Sequence, residues 1–183
     1  EYDDMANEQR QIIYTQRNNI LEADVITDLL NSMRETVISD ELDNVSLGEL
    51  EPHEWNSEIL ESSLSNIFGF QMPISQWIAS NSNITREKIE AMILDTAQLA
   101  YKEKSESIGP VMRDFEKQIL LQIIDTSWKD HLAEVDALRQ GIGLRSYASK
   151  NPKLEFRRES FELFESLLNK IRLEGIRFLS RVE

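Results

Sequence analysis

Residues 139–158 read RQGIGLRSYASKNPKLEFRR. The stretch holds two of the chain's six glycines, Gly141 and Gly143, and one of its four prolines, Pro152. It carries six cations (Arg139, Arg145, Lys150, Lys153, Arg157, Arg158) against one acid, Glu155, within a chain of formal charge −13. Long segments with helical apolar spacing lead into it and out of it. A basic connector between two amphipathic helices is the reading that decides the fold, because each helix then has a partner to cover its apolar stripe.

Working outward, residues 111–140 lack Gly and Pro and place Phe115, Ile119, Ile123, Trp128, Leu132, Val135 and Leu138 along one predicted stripe. On the far side, Asn151-Pro152 is a good helix start, with Asn as the cap and Pro in the first turn. The helix it opens carries Phe156, Phe161, Phe164, Leu167, Leu168 and Ile171. Pairing the two stripes predicts an antiparallel hairpin over 109–183, with Trp128, Leu132, Phe161 and Phe164 as packing residues. Tyr147, beside Ser146 and between Arg145 and Lys150, lies away from either stripe. It projects as a contact residue or packs back onto the hairpin.

The rest of the chain also reads as helix. Residues 1–47 and 74–108 contain neither Gly nor Pro, and no alternating run suggests a strand. Residues 1–43 predict one long helix or two in tandem, with a kink near 22–24 and Asp24 as a possible cap. Unbroken, it would span about 65 Å at ~1.5 Å per residue. Residues 44–108 have shorter elements: Pro52 in the first turn of a helix reaching about Phe68, Gly69 as its stop, a short piece after Pro73, a turn at 80–83, and a helix capped by Thr85. They read as a small helical subdomain inserted between longer helices. The fold class is all-α.

Composition excludes several functions. The chain has no cysteine, which removes disulfides and thiolate metal sites. No segment approaches the roughly 18 apolar residues of a membrane span. The negative charge argues against a nucleic-acid partner, which needs a basic face. Between Asp40 and Glu61 the chain has eight acids and no Lys or Arg, a solvated face or loop. His131 with Asp130 and Glu134 is too sparse for a metal site, lacking a second histidine; an interhelical or surface hydrogen-bonding role suits it better. His53 is assigned no role. Gly141-Ile-Gly143 follows no strand and lacks a third glycine, so it is not a dinucleotide loop. No phosphate-cradling loop or flanked nucleophilic serine is present, and no catalytic residue is assigned.

Two stretches carry a resemblance. DTSWKDHLAEVDALRQGIGLRSYASKNPKLEFRRESFELFESLL, residues 125–168, resembles the C-terminal helical region of the SecA family, motors that drive preproteins through the SecY channel. EYDDMANEQRQIIYTQRNNIL, residues 1–21, resembles that family's long scaffold helix. The resemblance implies a scaffold at 1–43 and 109–183, a helical wing at 44–108 and a two-helix finger in the hairpin. It implies that Tyr147 stands at the finger's tip, where with Arg145, Ser146 and Lys150 it would meet the channel and the translocating preprotein. The family often has histidine where this chain has Gly143, so the first finger helix is expected to end earlier here.

It implies further that the scaffold couples to ATPase domains of the same polypeptide and restrains their turnover. ATP and magnesium would be bound by the full-length protein, in a motor upstream of Glu1. No cofactor is expected in this chain, which begins with Glu and reads as a piece of a longer protein. A metal-binding tail would follow Glu183. The expected place is the cytoplasmic face of the bacterial inner membrane, as a peripheral protein. Two other readings of the residues stay open. One is a free-standing helical adaptor; the other is a membrane-surface module whose basic connector meets anionic lipid headgroups.

Overall fold

The computed structural model describes residues 2–47, 49–145 and 151–183. Among them there are seven α-helices and no strand: α1 (Tyr2–Glu22), α2 (Thr27–Ser46), α3 (Ser57–Phe68), α4 (Ile74–Ser80), α5 (Arg86–Ile108), α6 (Val111–Arg145) and α7 (Pro152–Arg181). The all-α class expected from the sequence is what the chain adopts.

Helix ends follow local chemistry. The Asn56 side chain accepts from the Ile59 amide at 3.2 Å to start α3, and the Thr85 hydroxyl accepts from Lys88 at 3.2 Å to start α5. The Asn151 side chain accepts from Leu154 at 3.1 Å, with Pro152 as the first residue of α7. Gly69 closes α3 in the left-handed region at φ 85°, its amide bonded to the Ser65 carbonyl at 2.9 Å. That conformation is easy for glycine and costly for residues with a Cβ.

Three local expectations are corrected. Pro52 opens only a 3-10 turn, Pro52–Glu54, and the helix to Phe68 begins later, at Ser57. Glu51 and Glu54 bond reciprocally across that turn and close it. Asp24 is not a cap: α2 is preceded by Ile26, which makes no side-chain cap bond. Most consequential, α6 does not stop near residue 140 but runs through Gly141 and Gly143 to Arg145. A helical glycine costs only about 1 kcal/mol relative to alanine. Burial of Ile142 against Val135 and Phe156 offsets that cost and holds the last turns.

The chain forms two compact units. The first comprises residues 1–25 and 117–171, that is α1, most of α6 and most of α7. Its helix directions can be read from contacts. Asp130 pairs with Lys170 at 3.7 Å, His131 lies on Phe164, and Ile142 packs with Phe156. As α6 numbers climb, α7 partners descend, so the two helices are antiparallel. The same holds for α1 against α6. Arg17 makes a two-toothed contact with Asp125 at 2.9 and 3.3 Å, and Gln9 meets His131. Lys117 Nζ donates to the Leu21 and Ala23 carbonyls at 3.3 and 2.6 Å, satisfying exposed acceptors at the end of α1.

The second unit comprises residues 26–116 and 172–183. α2 packs on α3 and α5, and α3 on α4. Leu30, Ile38, Leu42, Leu60, Leu64 and Ile89 are fully enclosed there. Arg86, at the start of α5, ties three points of α2: Asp43 at 2.6 Å, the Ser39 carbonyl at 3.2 Å and the Ser46 hydroxyl at 3.3 Å. The end of α7 is held by Lys104, which donates to the Ser180 carbonyl at 2.8 Å, and by Arg181, which donates to the Asn66 carbonyl at the end of α3.

Candidate functional site

The expected contact residues lie in sequence between α6 and α7 or at their edge. Arg145 is the last residue of α6. Ser146, Tyr147 and Lys150 lie outside the described residues. The packing residues divide. Trp128 and Phe164 are buried, whereas Leu132 is 37% exposed and Phe161 is 60% exposed. The reason is register. The buried positions of α6 run Met112, Glu116, Leu120, Ile124, Ser127, Trp128, His131, Val135, Ile142. A stripe drawn through Leu132 slips off the buried face by about 100°. On α7, Ser160 and Phe164 share the buried face, and Phe161 points off it.

Between Trp128 and Phe164 sits a polar seam that ties all three helices of the first unit. His131 is 2% exposed. Its ring stacks on Trp128 at 5.3 Å and meets the edge of Phe164 at 5.8 Å. Gln9 of α1 donates through Nε2 to the carbonyl and hydroxyl of Ser160 in α7, at 3.3 and 3.2 Å. A carbonyl only accepts, so the Gln9 amide is oriented and its Oε1 faces His131 Nε2 at 2.8 Å. That nitrogen therefore carries the proton. Burial holds the His131 pKa below its ordinary value, and Glu134 opposes this. The interhelical hydrogen bond is the bland role expected of this histidine. Asp130, its supposed co-ligand, pairs instead with Lys170. His53 is exposed and bonds the Ser82 carbonyl at 2.9 Å. Among the described residues no group of three or more His, Cys, Asp or Glu is gathered to hold a metal ion.

Beside the connector, α1 and α7 form a groove of about 890 Å³. Asp4, Met5 and Glu8 line it from α1; Leu154, Phe156, Arg157, Arg158 and Phe161 line it from α7. Leu154 and Phe161 expose apolar surface there, and Leu144 on the last turn of α6 is 82% exposed. Apolar side chains ringed by charge suit contact with another chain and offer no nucleophile–base pair.

A second polar cluster, in the other unit, escaped sequence reasoning. Glu116 is 0% exposed. Tyr101 Oη donates to its Oε2 at 2.5 Å, and Arg113 Nη1 lies 3.2 Å from its Oε1. The guanidinium of Arg34 sits 4.5 Å over the Tyr101 ring, and its Nη1 donates to Asn31 Oδ1 at 2.8 Å. Burial, reinforced by the hydrogen bond to Glu116, drives the Tyr101 pKa far up, and burial lowers that of Arg34. A glutamate in phase with Met112, Leu120 and Ile124 is the signal that would have found it.

Among protein families, the SecA Wing and Scaffold domain matches residues 1–183. The chain is 44% identical, over 183 residues and its full length, to the "Protein translocase subunit SecA" of Cellvibrio japonicus. It is 44% identical over 184 residues to the protein of the same name from Chromobacterium violaceum. The chain spans 20% of the length of each of these curated relatives. Among the described residues no helix is long and apolar enough to cross a membrane.

Proposed function

The chain belongs to the SecA wing and scaffold family, and from that premise we propose that it is the mechanical part of a protein-translocating motor. Residues 1–43 and 109–183 act as scaffold, 44–108 as wing, and the α6–α7 hairpin as the two-helix finger. The partners are the SecY channel, the translocating preprotein and the ATPase domains of the same polypeptide, with anionic lipid as a further contact. ATP and magnesium belong to those ATPase domains. The place of work is the cytoplasmic face of the bacterial inner membrane.

The observation that carries this reading is the pairing of a full-length family match with an antiparallel hairpin. The hairpin's connector is the basic stretch around Tyr147. A rigid pair of helices can transmit a displacement along its axis, because close-packed interiors deform little. Tyr147 would grip the preprotein through an amphipathic ring that needs no particular sequence. Arg145 and Lys150 would meet acidic groups or lipid phosphates, each exposed pair contributing little and weakening with salt. The scaffold would lower the basal turnover of the ATPase domains.

Transport measured with the intact motor tests the reading. Tyr147→Ala should strongly reduce preprotein transport while the unfolding midpoint stays near wild type, and Tyr147→Phe should be milder. Unfolding of the hairpin by Tyr147→Ala would make the residue a packing element. Wild-type transport by the same variant would remove it from the mechanism.

A further inference from the structure

The second unit contains a cleft of about 530 Å³ where α2, α5 and the first turns of α6 meet. Arg34, Tyr101, Ser105, Arg113 and Glu116 all line it. Three of these side chains are buried and incompletely bonded: Arg34 Nε, Ser105 Oγ and Glu116 Oε1 have no hydrogen-bond partner. Glu116 Oε1 is held only as an ion pair by Arg113 at 3.2 Å, which leaves Arg34 and Ser105 as the two orphan donors, 2% and 7% exposed. Buried polar atoms are nearly always paired, so two orphans on one cleft are informative.

The charge count points the same way. Arg34 and Arg113 bring two positive charges, and Glu116 brings one negative charge already engaged by Tyr101 and Arg113. Lys102 and Glu106 also line the cleft and are exposed, one turn apart on α5 with opposite signs, so they offset each other. Arg34 thus touches an aromatic face and the Asn31 amide oxygen, and the one counter-charge that acts on it, Glu116, is shared with Arg113. A guanidinium does not shed its proton, so two of them sharing one carboxylate leave a net positive charge, which is costly in a closed site.

We propose that this cleft is a binding site for a small oxyanion, a carboxylate or a phosphate group, received by the Arg34 guanidinium and the Ser105 hydroxyl. Arg34 presents planar N–H donors that match two anion oxygens, and Ser105 adds a third donor from the neighbouring helix. Both orphan atoms are closed to bulk solvent, so the anion engages them by a rotation of Arg34 toward the cleft. Glu116 stays with Tyr101 and Arg113 and sets the limit of one bound negative charge. Nothing in this site depends on the finger or the channel.

The test is a titration of the full 183-residue chain with inorganic phosphate and, separately, with acetate, at constant ionic strength. The readout is the arginine Nε–H resonances in nitrogen-15 spectra, the Arg34 signal being identified by its loss in Arg34→Lys. A saturable shift of that signal is expected, with Kd of order 1 mM. Ser105→Ala should weaken binding roughly three- to tenfold, for one lost hydrogen bond, and Arg34→Lys by about tenfold or more. Binding of acetate alone assigns the cleft to carboxylates, and binding of phosphate alone to phosphate groups. No saturable shift with either probe up to roughly 10 mM overturns the proposal. So does a shift that Ser105→Ala leaves unchanged, since the ion would then sit elsewhere. Ser105→Ala removes one oxygen and keeps Arg34, so the test survives if Arg34→Lys does not fold.

Discussion

Gln9→Leu isolates the polar seam of the first unit. Gln9 is 7% exposed and makes three contacts, at 2.8 Å to His131 and at 3.2 and 3.3 Å to Ser160. Leucine has nearly the same volume, so no cavity cost follows and the loss is polar. Ser160 can recover: its carbonyl keeps its helical acceptor role, and its hydroxyl can turn to the preceding turn of α7. His131 cannot. Its Nδ1 already lacks a partner, and the variant leaves both ring nitrogens unpaired in a site closed to water. One orphaned buried donor costs roughly 1–3 kcal/mol. The leucine methyls return part of it, for a net loss of about 1–2 kcal/mol. Native-state hydrogen exchange of peptides from 1–25 and 117–171 reads the loss locally, which matters in a chain of two compact units. Adding His131→Phe keeps the aromatic stack between Trp128 and Phe164 and removes the orphan. The double variant should therefore be at least ~1 kcal/mol more stable than the two single effects predict. A single cost below about 0.5 kcal/mol, or strict additivity, would refute the seam as an energetic tie between helices.

Other outcomes follow from single sites. Burial lowers the His131 pKa, so the unfolded chain takes up the proton first as pH falls. Stability of the first unit should be full above about pH 6.5 and decline below it, by at most ~1.4 kcal/mol per pH unit; urea titrations at pH 7.5 and 5.5 should show the loss in wild type and not in His131→Phe. Trp128→Ala should cost about 3–5 kcal/mol by urea unfolding, since the ring is 8% exposed and stacked on His131; a loss under about 1 kcal/mol would place it on a working surface. Gly69→Ala forces a Cβ into φ 85° and within 3.3 Å of Arg181 Cγ, so it should lower thermal stability by about 1–2 kcal/mol; an unchanged midpoint would mean the α3 stop tolerates a side chain.

How far the sequence is legible is clearest on α6. Its existence and its antiparallel partner follow from apolar spacing and from the Asn151-Pro152 start, and both are present. Its buried face does not follow, because a pattern of apolar letters passes over the polar residues that occupy that face, Glu116, Ser127 and His131. Glu116 and His131 are admitted to the interior by partners on other helices: Tyr101 for Glu116, Gln9 for His131. A polar residue looks like a surface residue until its partner is in place, so Phe115, Ile119, Ile123 and Leu132 were drawn on the stripe one position out of phase. The same reasoning explains the glycines at 141 and 143. Local propensity sets them as a stop, while Ile142, lodged with Val135 and Phe156, holds the helix through them. Local rules therefore located the caps at Thr85, Gly69 and Asn151, where a side chain or φ value acts within four residues. They missed the features set by pairs on different helices, and the orphaned Arg34 and Ser105 belong to that second class. A buried cation next to Met33, in phase with Leu30 and Val37 in an otherwise apolar stripe, becomes visible as a candidate binding element only once the cleft is closed around it.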